Sequence, residues 1–161
     1  MTIAPAQSAK VFELVASPAG IRVGLSEIRM HLRETGLSDC RCGTTEIVLA
    51  EALNNIAEHA YEDCGVGDIA VAITLDNVGI LIEFTDSGAP LPGLSPPAGN
   101  PPVLDAPSGD LPEGGYGWFL IRKLTTKLAY TRQNGQNFLR LRMNLRGAQH
   151  APGRTFGAWS R

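Results

Sequence analysis

The stretch that decides the fold is IVLAEALNNIAEHAY, residues 47–61. Its apolar residues recur at helical spacing, so the stretch predicts a helix with one buried face. Those residues are Leu49, Leu53, Ile56 and Ala60. Because residues four apart lie on the same side of a helix, the polar residues of this stretch gather on roughly the opposite face.

The polar face of this helix carries Glu51, Asn55 and His59. A carboxylate one turn from a carboxamide could activate a hydroxyl and hold a hard cation through oxygen. A solvated helix surface is the alternative interpretation. However, Asn is a poor helix former, and the pair Asn54-Asn55 is an odd choice for a free surface, where Lys or Glu would serve better.

Alternating apolar and polar residues predict strands on both sides of this helix, with turn residues between them. The predicted strands lie near residues 11–15, 69–75, 80–85, 128–132 and 138–145. A helix that starts at Ser17-Pro18 and ends at Gly36 precedes the central one, and another follows Gly117. This order suggests an α+β fold in which helices cover one face of a mixed, mostly antiparallel sheet.

A long irregular segment, residues 90–113, contains eight of the 11 prolines in the chain. A structureless loop of this length inside a compact domain is usually either disordered or a functional lid. Its position between two glycine motifs favours a lid. We expect such a lid to be mobile without its ligand.

The two glycine motifs each point to a ligand, although each alone could be an ordinary turn. Asp86-x-Gly88-x-Pro90 ends a strand, where glycine lets a ligand approach the backbone and Asp accepts a hydrogen bond from an amino group. Gly115-x-Gly117 precedes a helix, whose free N–H groups and positive end favour an anion. Together with the polar helix face, in this order, they indicate one ligand site.

The composition suits one globular domain of 161 residues, with 43% apolar and 19% charged residues. A net charge of −2 argues against a nucleic-acid binder, and no apolar run reaches membrane-spanning length. Three cysteines without framework spacing favour a reducing cytoplasm. The pair Cys40 and Cys42 lacks a second ligand pair at a standard spacing, so we do not expect a zinc site.

In this combination, the motifs resemble those of the GHKL ATPase superfamily, and more closely the small anti-sigma-factor serine/threonine kinases of bacterial partner-switching systems. EALNNIAEHAY (residues 51–61) is similar to the first box of that family, DSGAP (86–90) to the second and GYGWFLIR (115–122) to the third. The resemblance implies a two-layer α/β sandwich of the Bergerat type that binds ATP. It makes residues 10–146 the ATP-binding and kinase domain, and residues 1–9 and 147–161 flexible tails.

The resemblance also implies a role for each matching side chain. Glu51 would be the general base, and Asn55 would hold Mg²⁺, whose charge phosphoryl transfer requires. Asp86 would read the amino group of adenine. Glycines would let the base and the phosphates approach the backbone, and these are Gly88, Gly115 and Gly117.

Three further residues near these motifs have less definite roles. His59 matches a frequent residue of the family, and we assign it to packing or to support of its neighbours ahead of chemistry. Arg122 and Lys123 could reach a phosphate, and a solvated helix flank is an equal alternative.

The function that the resemblance implies is that of a cytoplasmic anti-sigma factor and protein kinase. Such a protein would phosphorylate Ser or Thr on a small STAS-type antagonist, and would hold a sigma factor near its first helix. Arg22 and Arg29 are candidates for that contact, with simple solvation as the alternative. A homodimer is compatible with the resemblance, whereas direct contact with nucleic acid or membrane is not expected.

Two alternatives stay open. One is an ATP-binding regulatory module that transfers no phosphate, and the other is an ATP domain related to histidine kinases. The second is disfavoured because no His-bearing dimerisation helix precedes residue 10.

Overall fold

A computed structural model describes residues 8–63, 65–101 and 115–144 of the chain. In these ranges the elements follow the predicted order, with predicted bounds met to within about two residues. They are β1 (Lys10–Val15), α1 (Pro18–Glu34), α2 (Asp39–Asn55), β2 (Asp68–Leu75), β3 (Gly79–Asp86), α3 (Tyr116–Leu124), β4 (Lys127–Gln133) and β5 (Gln136–Asn144). The predicted tails, apart from residues 8 and 9, and residues 102–113 of the predicted lid lie outside the described residues.

The five described strands form one sheet in the order β1-β2-β3-β5-β4, and each neighbouring pair is antiparallel. On one face the side chains alternate into a buried core beneath the helices, as Val71, Ile82 and Leu141 show. On the other face, Val11 and Val15 stay exposed. The predicted α+β sandwich with helices on one face is therefore confirmed, and the described strands form no parallel pair.

Helix α1 begins and ends where its sequence predicts. The Ser17 hydroxyl accepts a hydrogen bond from the Gly20 N–H at 3.1 Å, and Pro18 occupies the first helical position. Gly36 follows the helix with a φ of 81°, a backbone conformation that glycine adopts without strain. These local signals set the direction in which the chain enters α2.

Helix α2 is the central helix of the layer, because it packs against both α1 and α3. Its regular part ends at Asn55, and residues Ile56–Ala60 continue it as one π-helical turn. The predicted helix therefore reaches its expected end, but its last turn is wider than the 3.6-residue period assumes. Such turns are rare and often lie at functional sites.

The hairpin between β2 and β3 is held by Asp76. Its carboxylate accepts hydrogen bonds from the N–H groups of Val78 and Gly79 and binds Arg142, whose Nη2 lies 2.6 Å from Oδ2. The hydrogen bond from Arg142 is the main reason why the pKa of Asp76 falls from 3.8 to about 2. Because the folded state lowers this pKa, the stabilisation is present above pH 4 and is lost as the pH falls towards 2.

We therefore expect Asp76→Asn, which keeps the turn acceptor, to destabilise the fold in a pH-dependent manner. The Asp76 side chain is 32% exposed, so screening reduces the loss to about 1 kcal/mol at pH 6. Urea unfolding between pH 2 and pH 6 would measure this. A stability difference between wild type and variant that is the same at both ends of this range would contradict the ion pair's contribution.

No helix among the described residues is long and apolar enough to cross a lipid bilayer.

Candidate functional site

The carboxylate and carboxamide predicted on α2 face the start of α3. A Cβ atom added to Gly117 would lie 2.5 Å from Glu51 Oε2 and 3.6 Å from Asn55 Nδ2. Glu51 and Asn55 are both half-buried, so neither belongs to an open solvated surface. Glycine at position 117 is what allows the two helices to approach this closely.

Asn55 carries an unpartnered donor at this junction. Its Nδ2 atom is buried, and no described residue accepts a hydrogen bond from it. Because buried polar atoms are almost always paired, such an orphan indicates a missing ligand. An amide of this kind can donate to a phosphate oxygen through Nδ2 and offer Oδ1 to a cation.

The start of α3 presents free backbone N–H groups beside the same pair. Gly115 precedes the helix with a φ of 91°, and the first N–H groups of a helix have no partners within it. No group of three or more His, Cys, Asp or Glu side chains gathers into a metal cage within the described ranges. Mg²⁺ does not need one, because it is usually held by substrate phosphates together with one or two protein oxygens. The residues present therefore fit a magnesium–triphosphate group.

Asp86 is a buried carboxylate at the end of β3, only 4% exposed. Its Oδ1 accepts hydrogen bonds from the Gly88 N–H at 2.9 Å and from Asn137 Nδ2 at 2.8 Å. Burial raises the pKa of Asp86, whereas these hydrogen bonds and the charge of Arg132 lower it. Burying a carboxylate costs free energy even when it is hydrogen-bonded, so the position of Asp86 favours a role in binding.

The turn after Asp86 packs directly on the π-helical turn. A Cβ on Gly88 would lie 2.4 Å from the backbone oxygen of Ala60, and the Ala89 N–H donates to that oxygen at 2.7 Å. Only glycine fits at position 88, because the neighbouring atom belongs to the backbone and cannot yield cheaply. The π-helical turn Ile56–Ala60 and the motif of residues 86–90 therefore pack together as one side of the site.

These elements enclose a cleft of about 380 Å³, including the part open to solvent. Asn55, His59 and Asp86 line it together, between the apolar side chains of Trp118 and Leu139. Glu51, Gly115 and Gly117 are not part of its lining, but they adjoin it through Asn55 and the start of α3. His59 is exposed, so it does not have the packing role considered from the sequence. The structure thus brings the three sequence motifs to one place.

The described part of the predicted lid lies along α3. Arg122 donates to the backbone oxygens of Pro97 at 2.8 Å and Pro96 at 2.9 Å. The Asn100 N–H donates to the Gly115 oxygen at 3.0 Å, which ties this segment to the start of α3. The roles considered for Arg122 from the sequence do not include these contacts, because Arg122 and Pro97 are 25 positions apart in the chain. Lys123 lies 5.7 Å from the ring centre of Phe119 on the exposed flank of the helix.

We expect Arg122→Ala to loosen this segment. Removal of two hydrogen bonds from a charged donor should speed amide exchange at Asn100 by about tenfold or more, because local opening becomes cheaper. Hydrogen-exchange mass spectrometry of the nucleotide-free protein would measure it. Lys123→Ala is the matched control, since it removes an adjacent cation that makes no such bond. Equal exchange in wild type and Arg122→Ala would show that the anchor lies elsewhere.

The sequence interpretation missed three residues that surround Asp86. Asn137, 3% exposed, donates to the Asp86 carboxylate, and Tyr130 and Arg132 donate to the Asn137 side-chain oxygen. The sequence does carry a signal for Asn137, because this polar residue is in phase with the buried Leu139 of β5. A polar residue at an inward position of a strand needs a hydrogen-bond partner, and the partner of Asn137 is the carboxylate of Asp86.

Comparison with known proteins identifies similar chains. Residues 14–143 match the family described as "Histidine kinase-like ATPase domain". The serine-protein kinase RsbW of Halalkalibacterium halodurans is 31% identical over 94 residues, which cover 56% of this chain and 55% of that protein. The serine/threonine-protein kinase BtrW of Bordetella bronchiseptica is 33% identical over 101 residues, or 61% of this chain and 67% of that protein. The match thus spans about half to two thirds of these relatives.

A solved structure shares the fold. The structure of the RsbU and RsbW domains of Rv1364c from Mycobacterium tuberculosis superposes with a TM-score of 0.57 at 17% identity. The superposition covers 85% of this chain and 33% of that chain. At this identity the likeness concerns the fold alone.

Proposed function

Because this chain belongs to the histidine kinase-like ATPase domain family, we propose that it is an ATP-dependent serine/threonine protein kinase and anti-sigma factor. The single observation that carries the kinase part is the position of Glu51 and Asn55 against Gly117, beside the cleft that Asp86 lines. This arrangement brings together the proposed general base Glu51, the proposed cation ligand Asn55, the free N–H groups at the start of α3 and the carboxylate of Asp86, which would bind adenine.

The proposed chemistry assigns one task to each group. Asp86 accepts a hydrogen bond from the adenine amino group, and the start of α3 binds the phosphates through its free N–H groups. Asn55 would hold Mg²⁺, which would neutralise charge on the transferred phosphoryl group. Glu51 takes the proton of the substrate hydroxyl. The hydroxyl oxygen bonds to the γ-phosphorus, and the bond between the γ-phosphorus and the oxygen that leaves with ADP breaks. The products are ADP and a phosphorylated side chain.

The proposed protein substrate is Ser or Thr on a small STAS-type antagonist. One observation supports a Ser or Thr substrate: both relatives named above are serine or serine/threonine kinases. In such a partner-switching arrangement, phosphorylation would leave the kinase free to hold a sigma factor. A cytoplasmic location is part of the same proposal.

The proposed surface for the sigma factor is the exposed side of α1. Val23 and Met30 are 60% and 58% exposed and lie two helical turns apart, with the exposed Arg22 beside them. Arg29, the other candidate from the sequence, is bound within the chain, because its Nη1 lies 3.0 Å from Glu46. A homodimer is part of the same proposal, and light scattering of the purified protein would test it.

The experiment for the proposed function uses radiolabelled ATP and, as the candidate antagonist, a STAS-type protein from the same genome. We expect Mg²⁺-dependent transfer of label to that protein, and calorimetry should show binding of Mg-ATP. If the wild type binds ATP and a sigma factor but labels no antagonist, the kinase proposal fails and the ATP-binding regulatory module stands. If it binds no ATP, the nucleotide site itself is wrong.

A further inference from the structure

We propose that Asn137 is a positioning residue that leaves one carboxylate oxygen of Asp86 available to the nucleobase. Tyr130 and Arg132 fix the side-chain amide of Asn137 in the orientation that this requires. The inference rests on the proposed nucleotide site and goes beyond it, because no sequence motif includes these residues. It makes the selection of an amino-bearing base depend on the strand pair β4–β5 as well as on the second motif.

The first step is the register of the sheet. Asp86 on β3 lies opposite Asn137 on β5, and Asn137 lies opposite Arg132 on β4. Asp86 and Asn137 point to the helix-covered face, since they are in phase with buried residues of their strands. Arg132 lies on the same face, in phase with the half-buried Leu128 and Tyr130 of β4. The result is a row of polar side chains across three strands at the edge of an otherwise apolar core.

The second step is the orientation of the Asn137 amide. Arg132 Nη1 and the Tyr130 hydroxyl both donate to Oδ1, at 2.6 and 2.7 Å. On the other side, Nδ2 donates to Asp86 Oδ1 at 2.8 Å and to the backbone oxygen of Ala89 at 3.0 Å. A flipped amide would set its oxygen against acceptors and its NH₂ group against two donors, so only one orientation satisfies the network.

The third step is what this orientation does to Asp86. Hydrogen bonds from Gly88 and Asn137 both end on Oδ1, and no described residue donates to Oδ2. The carboxylate lines the cleft, so Oδ2 is the acceptor left for a ligand. An exocyclic amino group can donate to it, whereas a ring that carries hydrogen or oxygen at the same place cannot.

A purely structural role for Asn137 is the competing explanation, because its Nδ2 also holds the turn through Ala89. The two explanations differ in one measurable quantity, the preference for a ligand that has the amino group over one that lacks it. A residue that only holds the turn would change the affinity for both ligands alike. A residue that positions Asp86 would change their ratio.

The test therefore compares ATP with purine riboside triphosphate, which differs only by the missing amino group. Calorimetry of the full chain with Mg²⁺ should give the wild type a preference for ATP of about 10- to 100-fold, the value of a hydrogen bond to a charged group. We expect Asn137→Ala to reduce the preference to about threefold or less. Asn144→Ala, at the exposed end of the same strand, should keep the wild-type preference.

Tyr130→Phe is a second test variant, which keeps the aromatic ring that lines the cleft and removes only the hydroxyl. It removes one of the two donors that lock the amide, and it leaves the Leu91 N–H without its acceptor. The preference for ATP should fall by about two- to fivefold, less than in Asn137→Ala, because Arg132 still holds the amide. This variant keeps the test decisive if Asn137→Ala does not fold.

The outcomes separate the inference from the proposed function. If the wild type prefers ATP, and Asn137→Ala and Tyr130→Phe bind both ligands more weakly with the preference unchanged, the positioning role is overturned while the nucleotide site stands. If the wild type binds neither ligand, the proposed function fails and the inference fails with it. A wild type that binds both ligands equally would overturn the reading of the amino group by Asp86.

Discussion

Glu51→Gln is expected to slow phosphoryl transfer by about 10²- to 10⁴-fold, the usual contribution of a positioned general base. The amide keeps the shape of the side chain beside Gly117 but does not take the proton of the incoming hydroxyl. Affinity for Mg-ATP should stay close to that of the wild type, because Glu51 does not line the cleft. Transfer of radiolabel to the antagonist protein and calorimetry with ATP would measure the two quantities separately.

Two comparisons sharpen this prediction. Glu58→Gln makes the same chemical change at an exposed position of the π-helical turn and should leave transfer unchanged. Asn55→Ala should weaken Mg²⁺-dependent nucleotide binding as well as transfer, because it removes the cation ligand. If Glu51→Gln transferred label as fast as the wild type, another group would have to be the base.

Asp86→Asn should weaken ATP binding by about 100-fold, near the upper end for one hydrogen bond to a charged group. The Gly88 N–H and Asn137 Nδ2 both donate to Oδ1, so the new amide must place its oxygen there. Its NH₂ group then replaces Oδ2 and meets the adenine amino group donor to donor. The change therefore does more than remove an acceptor.

The same substitution should shift the base preference. Inosine triphosphate carries an oxygen where ATP carries the amino group, so the NH₂ group of the variant can donate to it. Competition of the two nucleotides in calorimetry would measure the ratio of their affinities. Asp68→Asn, at an exposed position at the start of β2, is the control and should bind ATP as the wild type does. Unchanged ATP affinity in Asp86→Asn would remove Asp86 from the site.

The site could be predicted only where its residues signal within one segment. Glu51 and Asn55 share a helix face, and each glycine motif carries its own turn chemistry, so the sequence predicts these candidates without any tertiary information. Asn137 was not predicted, because it is 51 residues from Asp86 and gains its meaning from the strand register. The Arg122 contacts with Pro96 and Pro97 were missed for the same reason.

Local sequence patterns are enough to predict the order of helices and strands, the inward face of each, and the turns and helix ends where glycine or a capping residue is expected. These follow from periods of 3.6 and two residues and from local turn chemistry, which act over a few positions. The tertiary structure alone decided that Gly117 closes on Glu51 and Asn55, and that Asn137 meets Asp86. Those meetings depend on strand register and helix packing, which the whole core sets by burying its apolar faces together.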